Sequence, residues 1–535
     1  MKKNILICGQ AGQGINFTSL LLGRALINAG FYVFIYRDYG SLIRGGHNFN
    51  VITFSDKPIY SHQNIFQAII DLDGSSINHE SDFSSNAFVL NKESLRQILD
   101  WKEPDDPKQI NNALLGMILK NWGISLDCLI DGAKKEIKSW KNIVLAAERG
   151  YKAGLLRENL KTKKGPARFF ATGTNGLSLG AIASGLDVYL SYPMTPSTGL
   201  LIELAKRAKK DKLLVAQLED EITVINAALG ASYAGAMTMI GTSGGGFALM
   251  TEAVSLAGMA EIPIVIYLSQ RTGPSTGVPT YTAQSDLSFA RFAGHGEFPK
   301  IVIAPGNPDE AISRTMESFY LACKYRLPVI LLSDKHLSES YYTFDKVNYP
   351  KIKVDRFIAR NPGKNNQNYS LDSLIGERII PGRSEFARAN SYEHDQYGET
   401  TEDPEMIEKM NNRRLAKMNL VQNEVDNLQP IKVWGRGSNL IISWGSTQGA
   451  ILDSLPDLPG YRFLQISYIH PFPKEMVRRE ILKSNKVILV ENNATGLLGQ
   501  LLTMETGCLI DKKILKYNGR PFMADELIDE IKKIS

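Results

Sequence analysis

The chain has 535 residues, enough for about three or four domains at the usual ~100–200 residues each. With 43% apolar residues, 22% charged residues and a formal net charge of only +5, it has a globular composition without the basic footprint of a nucleic-acid binder. Its four cysteines, Cys8, Cys128, Cys323 and Cys508, are widely scattered and form no C-x-x-C, which argues against an iron–sulfur or zinc site in this chain and suits a reducing compartment.

Met1-Lys2-Lys3-Asn4-Ile5 leads into a strand-like run without a signal-peptide core. No apolar run reaches the ~18 residues of a membrane span, so the expectation is a soluble, cytoplasmic protein. Ile5–Cys8 reads as a strand. Gly9-Gln10-Ala11-Gly12-Gln13-Gly14 follows, then a helical pattern through Ile15, Leu20, Leu21, Ala25 and Leu26 that Gly30 ends. Phe31–Ile35 is a second strand, and the whole reads as the opening of a βαβ unit. Backbone N–H groups at a helix N-terminus favour an anion. The dinucleotide fingerprint G-x-G-x-x-G is broken, because Phe17 stands where the third glycine belongs, although Asp38 lies at the distance of a ribose-binding carboxylate. A phosphate-bearing ligand, a nicotinamide cofactor and a plain tight turn all remain open for this loop. Arg44-Gly45-Gly46-His47 reads either as a flexible turn or as a cation beside backbone donors. Asn50–Phe54 is a strand candidate, and two further apolar runs, Phe88–Leu90 and Ile143–Leu145, frame a helical stretch. This unit closes near residue 155. Lys152–Arg168 carries six Lys/Arg against one Glu and reads as a solvated linker.

From Phe169 the alternation is regular. Strand candidates Val188–Leu190, Leu213–Ala216, Met237–Ile240, Ile264–Leu268, Ile301–Ile303 and Val329–Leu332 accompany helical stretches at Ser197–Lys210, Glu219–Ala234 and Gly246–Ala260. That pattern predicts a parallel sheet covered on both faces. Pro350–Asn427 is polar and poor in apolar clusters; it reads as an arm suited to wrapping a surface, with helix near Pro404–Asn423. From Ile431, strands at Leu440–Trp444, Phe463–Ile466 and Val487–Glu491 make a third α/β unit.

Four strand-to-helix turns stand out. Tyr192-Pro193-Met194-Thr195-Pro196-Ser197-Thr198 is stiff and hydroxyl-rich, with Ser197 or Thr198 as candidate helix cap. Leu218-Glu219-Asp220-Glu221 opens a helix, where carboxylates suit the dipole. Thr242-Ser243-Gly244-Gly245-Gly246 permits close backbone approach to a flat ligand, or is simply a tight turn. Ser269-Gln270-Arg271-Thr272-Gly273-Pro274-Ser275-Thr276-Gly277 combines a carboxylate-binding cation with hydroxyls. Open α/β sheets bind ligands at such carboxyl-end loops. No Ser-His-Asp arrangement, metal-type histidine spacing or P-loop is present.

In this order the four turns, with Asp286 in Gln284-Ser285-Asp286-Leu287 and His394-Asp395-x-x-Gly398, resemble the alpha subunit of 2-oxoacid:ferredoxin oxidoreductases. Through Gly9–Gly14 and Arg44-Gly45-Gly46, the first 155 residues resemble the family's gamma subunit. Through Gly445-Ser446-Thr447, Pro471-Phe472-Pro473 and Glu491-Asn492-Asn493, the end resembles its transketolase-C-like domain. The resemblance implies an α/β protein of several three-layer units with mainly parallel sheets. Its parts would be a gamma-like domain (1–155), a linker (156–168), a pyrimidine-binding alpha domain (169–345), an extended arm (346–430) and a transketolase-C-like domain (431–535).

It further implies the gamma–alpha subunit of an enzyme that uses thiamine diphosphate to decarboxylate a 2-oxoacid oxidatively, 2-oxoglutarate by analogy, and passes the acyl group to coenzyme A. A beta subunit would bind the diphosphate and Mg²⁺ and carry an iron–sulfur cluster that feeds ferredoxin, in an (alpha-beta)₂ assembly without nucleic acid or membrane. The Gly-Asp-Gly that begins the diphosphate motif is absent from this chain. By the same resemblance Glu221 matches the glutamate that hydrogen-bonds N1′ of the aminopyrimidine, and Thr195 and Arg271 match the substrate-carboxylate ligands. Ser275 and Thr276 neighbour the substrate, Thr242 and Ser243 line the pyrimidine, and Gly9, Gly12 and Gly14 approach coenzyme A; no metal ligand is expected in this chain. The competing readings are a nicotinamide-dependent dehydrogenase built on the N-terminal unit and a non-catalytic scaffold subunit.

Overall fold

The computed structural model describes residues 1–40, 45–96, 107–163, 167–360, 367–382 and 387–534. Arg44, the first residue of the Arg44-Gly45-Gly46-His47 feature, lies outside the described residues.

The N-terminal unit supplies β1 (Lys2–Ala11), β2 (Tyr32–Asp38), β3 (Gly45–Ser55), β4 (Phe66–Asp71) and β5 (Phe83–Leu90). The helix Ile15–Asn28 does connect β1 to β2, but these strands are not neighbours: β3 lies between them, antiparallel to both. The opening is therefore a split βαβ rather than the contiguous unit a dinucleotide fold requires. Ile143–Leu145 belongs to the helix Trp140–Ala153. There Ile143, Val144, Ala147 and Gly150 are buried while Leu145 is exposed, so a helical stripe underlies what reads as a short apolar run.

Two short segments of later sequence extend this first sheet. β6 (Phe169–Ala171) and a strand far along the chain complete the order given below. The central sheet contains β7 (Val188–Ser191), β8 (Leu214–Gln217), β9 (Thr238–Thr242), β10 (Ile264–Gln270), β11 (Ile301–Ile303) and β12 (Pro328–Asp334). β13 (Tyr341–Phe344) then pairs antiparallel with both β2 and β6, so the first sheet runs β5-β4-β1-β3-β2-β13-β6. The C-terminal unit adds β14 (Ile431–Gly435), β15 (Asn439–Trp444), β16 (Tyr461–Ile466), β17 (Tyr468–His470), β18 (Lys486–Glu491) and β19 (Lys512–Leu515). Of these, β17 leaves its own unit and pairs antiparallel with β11, giving the central order β17-β11-β12-β10-β9-β7-β8. The third sheet runs β14-β16-β15-β18-β19, parallel except at β14.

The central sheet is covered on both faces, as its apolar strands require. Ile264, Ile266 and Leu268 of β10 pack with Val224 and Ile225 of the helix Glu221–Tyr233 and Met250 and Val254 of the helix Gly244–Met259. The alternate residues Val265 and Tyr267 join the opposite layer, with Leu177 and Ala181 of the helix Gly173–Ala183 and Phe319 of the helix Pro308–Tyr325. Among the described residues no helix is long and apolar enough to cross a membrane.

The described residues of the basic segment before residue 169 run along the surface of the N-terminal unit, most of them exposed and a few anchored to it. Leu160 is buried, Lys163 N–H donates to Ala29 O, and Arg168 donates to Gly30 O and Asp345 while stacking on Tyr32. The polar arm wraps this chain's own central unit. Tyr369 donates to Ala260 O, and Val421 and Val425 of the helix Pro404–Asn427 enter the central core. Its charges go inward: Glu261, fully buried, receives Arg413, Lys417 and Arg326. His394, buried against Tyr369, and the Asp395–Glu399 turn close the arm on itself.

Candidate functional site

β10, β9, β7 and β8 are parallel neighbours, so the four turns singled out in the sequence all leave the same sheet edge. This edge is where open α/β sheets place ligands. The C-terminal unit packs beside it: Gln284 donates to Trp444 O and accepts from Thr447 Oγ1 and Asn492 N–H, so buried polar atoms pin the two units together. Within that joint Glu491 is fully buried, accepting from Trp444 Nε1, Leu498 N–H and Asn493, and burial pushes its carboxyl pKa up.

Glu221 is the first residue of its helix and is 5% exposed. The neighbouring Asp220 does the capping, accepting from Thr223 N–H at 2.7 Å. The carboxylates at this helix start therefore divide the work: one stabilises the helix end, and the other turns inward without satisfying it. The glycine run opposite explains the space. A Cβ on Gly246 would stand 2.6 Å from Glu221 Oε1 and 2.3 Å from Thr242 Oγ1. Only a glycine at 246 lets the start of the helix Gly244–Met259 approach the Glu221 carboxylate. Beside it the Ser243 hydroxyl is buried without a partner, an orphan donor in an otherwise packed wall. Thr242, also buried, donates to Ser243 O.

Arg271 leaves the end of β10 and donates from Nη1 to Thr195 O at 2.9 Å, tying two turns together. The peptide bonds Thr195–Pro196 and Gly273–Pro274 are both cis. Ser197 does not cap the following helix as expected; its hydroxyl donates to Met194 O inside the turn. Ser275 and Thr276 are exposed at the tip of the loop after Arg271. Asp286, unassigned by its motif, comes close to Gly244, whose Cβ would lie 2.7 Å from Asp286 Oδ2. Burial pushes the Asp286 carboxyl up to about 6, with Arg271 opposing the shift.

The N-terminal glycines stand apart from this edge. Gly12 and Gly14 have φ of +96° and +87°, which only glycine adopts cheaply, and Gln13 folds back so that its Oε1 accepts from Gln10 N–H. Asp38 does not wait for a ribose. Its oxygens accept from the hydroxyls of Tyr36 and Tyr281 and pair with Arg520. The nicotinamide reading thus loses its ribose carboxylate as well as its third glycine. Sequence reasoning missed this junction, and no local signal pointed to it: Asp38 and Tyr281 are 243 positions apart.

Comparison with known proteins identifies the family. The family described as "Pyruvate flavodoxin/ferredoxin oxidoreductase, thiamine diP-bdg" matches residues 179–412, and "Pyruvate ferredoxin/flavodoxin oxidoreductase" matches residues 4–153. The chain is 31% identical to the 2-oxoacid:ferredoxin oxidoreductase subunit alpha of Sulfolobus sp., over 100% of this chain and 97% of the relative. It is 30% identical to the 2-oxoglutarate synthase subunit KorA of Methanothermobacter marburgensis, over 68% of this chain and 98% of the relative. Among solved structures, the 2-oxoglutarate:ferredoxin oxidoreductase from Magnetococcus marinus, with 2-oxoglutarate, coenzyme A and succinyl-CoA bound, aligns with a TM-score of 0.88 and 26% identity over 99% of both chains. Fold and relatives thus define the class as an oxidoreductase subunit built of α/β units. More particularly, the chain belongs to the family of 2-oxoacid:ferredoxin oxidoreductase alpha subunits.

Proposed function

We propose that this chain is the pyrimidine-holding subunit of a cytoplasmic thiamine-diphosphate enzyme that converts a 2-oxoacid, 2-oxoglutarate in the favoured reading, to its acyl-coenzyme A. The observation that carries this is the Glu221 carboxylate, buried against the Gly246 cradle beside the orphan Ser243 hydroxyl. When bound, thiamine diphosphate supplies a nucleophilic carbon that adds to the 2-oxo group and holds the electrons released with carbon dioxide. Glu221 would hold a proton at N1′ of the aminopyrimidine, which requires a carboxyl group shielded from water. Thr242 and Ser243 would line the ring, and Ser243 Oγ has the hydrogen bond to give.

Arg271, anchored on Thr195 O, carries a planar fork matched to the 2-oxoacid carboxylate, with Thr195 beside it and Ser275 and Thr276 on the flanking loop. The loop of Gly9, Gly12 and Gly14 would approach coenzyme A. Diphosphate, Mg²⁺ and an iron–sulfur cluster would sit in a beta subunit, since this sequence has neither Gly-Asp-Gly nor clustered cysteines. Ferredoxin would take the electrons, and an (alpha-beta)₂ assembly completes the reading.

The test is 2-oxoacid-dependent ferredoxin reduction by the chain assembled with its partner subunit. Glu221→Gln is expected to cut kcat by about 10²–10⁴-fold, the range of a lost acid–base contribution, without preventing assembly. Near-normal turnover of that variant would reject the reading, and so would a scaffold-like chain whose replacement at Thr195, Glu221 and Arg271 changed nothing.

A further inference from the structure

The loop that carries Arg271, Ser275 and Thr276 has a defined base. Thr272 N–H donates to Tyr281 O at 3.1 Å and Val278 N–H donates to Thr272 O at 2.9 Å, closing residues 272–281 into a small hairpin. Gly277 at its turn has no room for a side chain, because a Cβ there would meet Thr272 O at 1.9 Å. The tip is exposed, so the position of the loop depends on what holds the base.

Two other units reach that base. From the N-terminal unit comes Asp38, at the end of β2 and 3% exposed; its Oδ1 accepts from the Tyr281 hydroxyl at 3.2 Å. From the C-terminal unit comes Arg520. Its Nε donates to Asp38 Oδ2 at 2.9 Å, and its guanidinium lies 3.7 Å from the centre of the Tyr281 ring. Thr282 N–H donates to Gly519 O at 3.1 Å, adding a backbone bond from the same unit. Tyr36 OH completes the carboxylate's partners at 2.8 Å. A carboxylate buried against a guanidinium and two hydroxyls is well satisfied, and removing it leaves those three donors without their shared acceptor.

We propose that Asp38, Tyr281 and Arg520 form a three-unit clamp that positions the Arg271–Gly277 loop, so that the N-terminal unit takes part in 2-oxoacid binding as well as any role toward coenzyme A. All three are positioning residues: they act on the substrate through the loop they hold. The proposal rests on the reading of Arg271 as the carboxylate ligand. A loop released at its base shifts by the order of an ångström, and misplacement of about 1 Å costs up to ~10²-fold in a positioned reaction.

The experiment uses the assembled enzyme and two readouts. Asp38→Asn is expected to raise KM for the 2-oxoacid about tenfold, equivalent to losing one charge-assisted contact, while KM for coenzyme A stays unchanged. Amide deuterium exchange across residues 272–282 should accelerate in the same variant. Arg520→Gln, at a side chain 40% exposed, should produce both effects, and the double variant should be no worse than either single. Unchanged 2-oxoacid KM in both variants, or unchanged exchange, overturns the clamp. If the unsubstituted enzyme reduces no ferredoxin with any 2-oxoacid, the functional reading fails instead, and the exchange measurement still decides whether Asp38 and Arg520 hold the loop.

Discussion

Gly246→Ala tests the geometry around Glu221 without touching the carboxylate itself. The added methyl would stand 2.3 Å from Thr242 Oγ1, 2.6 Å from Glu221 Oε1 and 2.8 Å from Glu221 Cγ. Unstrained contacts of this kind begin near ~3.5 Å, so the gap must open by about 1 Å. Thr242 is fully buried in the sheet edge and Glu221 is fixed at the first turn of its helix, so neither yields freely. Overpacking of this size typically costs about 1–3 kcal/mol, and a catalytic carboxylate displaced by ~1 Å loses up to ~10²-fold in rate. The expected result is a kcat for 2-oxoacid-dependent ferredoxin reduction lowered roughly 10- to 100-fold, with weaker thiamine diphosphate binding and only a modest drop in melting temperature. Gly230→Ala is the control, because the same helix as Glu221 offers open space there, with nothing within 4 Å. It should keep full activity and gain about 0.5–1 kcal/mol from improved helix propensity. Full turnover in Gly246→Ala as well would refute the placement of Glu221 against its cradle.

Other consequences can be measured on the same assembly. Arg271→Ala should raise KM for the 2-oxoacid or lower kcat by about 10²-fold, as a lost charge-assisted carboxylate contact predicts, and normal kinetics would remove Arg271 from the site. Burial raises the Asp286 carboxyl to about 6 from an ordinary 3.8. The folded form therefore takes up the proton first, stability falls as pH rises through that window, and below about 6 the group is neutral. A neutral Asp286 no longer competes for Arg271, so KM for the 2-oxoacid should fall between pH 7 and pH 5.5. Asp286→Asn should flatten that profile; a profile identical to the parent would assign it elsewhere. In the arm, burial pushes Lys417 down to about 7, with Glu261 opposing it, while Lys417, Arg326 and Arg413 outweigh burial and hold the Glu261 carboxyl far below its ordinary range. Glu261→Gln leaves the guanidiniums of Arg326 and Arg413, and the Lys417 amine, buried without an anion and should cost about 3–5 kcal/mol; Lys417→Met leaves Glu261 its two arginines and should cost much less. Equal losses in thermal melts of the two variants would contradict that asymmetry.

The sequence revealed most where physics is local. Val188–Leu190, Ile264–Leu268 and Val329–Leu332 are apolar runs that only a sheet buried on both faces explains, and they lie within β7, β10 and β12. The four turns converge because parallel strands send their carboxyl-end loops to one edge, and Phe17 was a sound reason to distrust the dinucleotide reading. What stayed hidden depends on distant partners. Ile143–Leu145 contains too few residues to show its helical period alone. The basic strap before Phe169 carries the composition of a solvated linker, yet Arg168 is captured by Tyr32, Gly30 O and Asp345. Asp38 has the sequence position of a ribose ligand, but its oxygens are taken by side chains from three units.

The shared strands bear on how the molecule can be taken apart. Tyr341 and Tyr342 of β13 pair with Ile35 and Phe34 of β2, and β6 caps β13 in turn. A fragment ending at residue 155 would lose both strands and leave β2 as a bare edge, with unpaired backbone groups ready to recruit another chain. β17 imposes the mirror condition on a fragment beginning at residue 431, since it would have to abandon β11. Recombinant dissection at the apparent unit boundaries should thus yield sticky, aggregation-prone pieces, and a useful excision would need to carry its borrowed strands along.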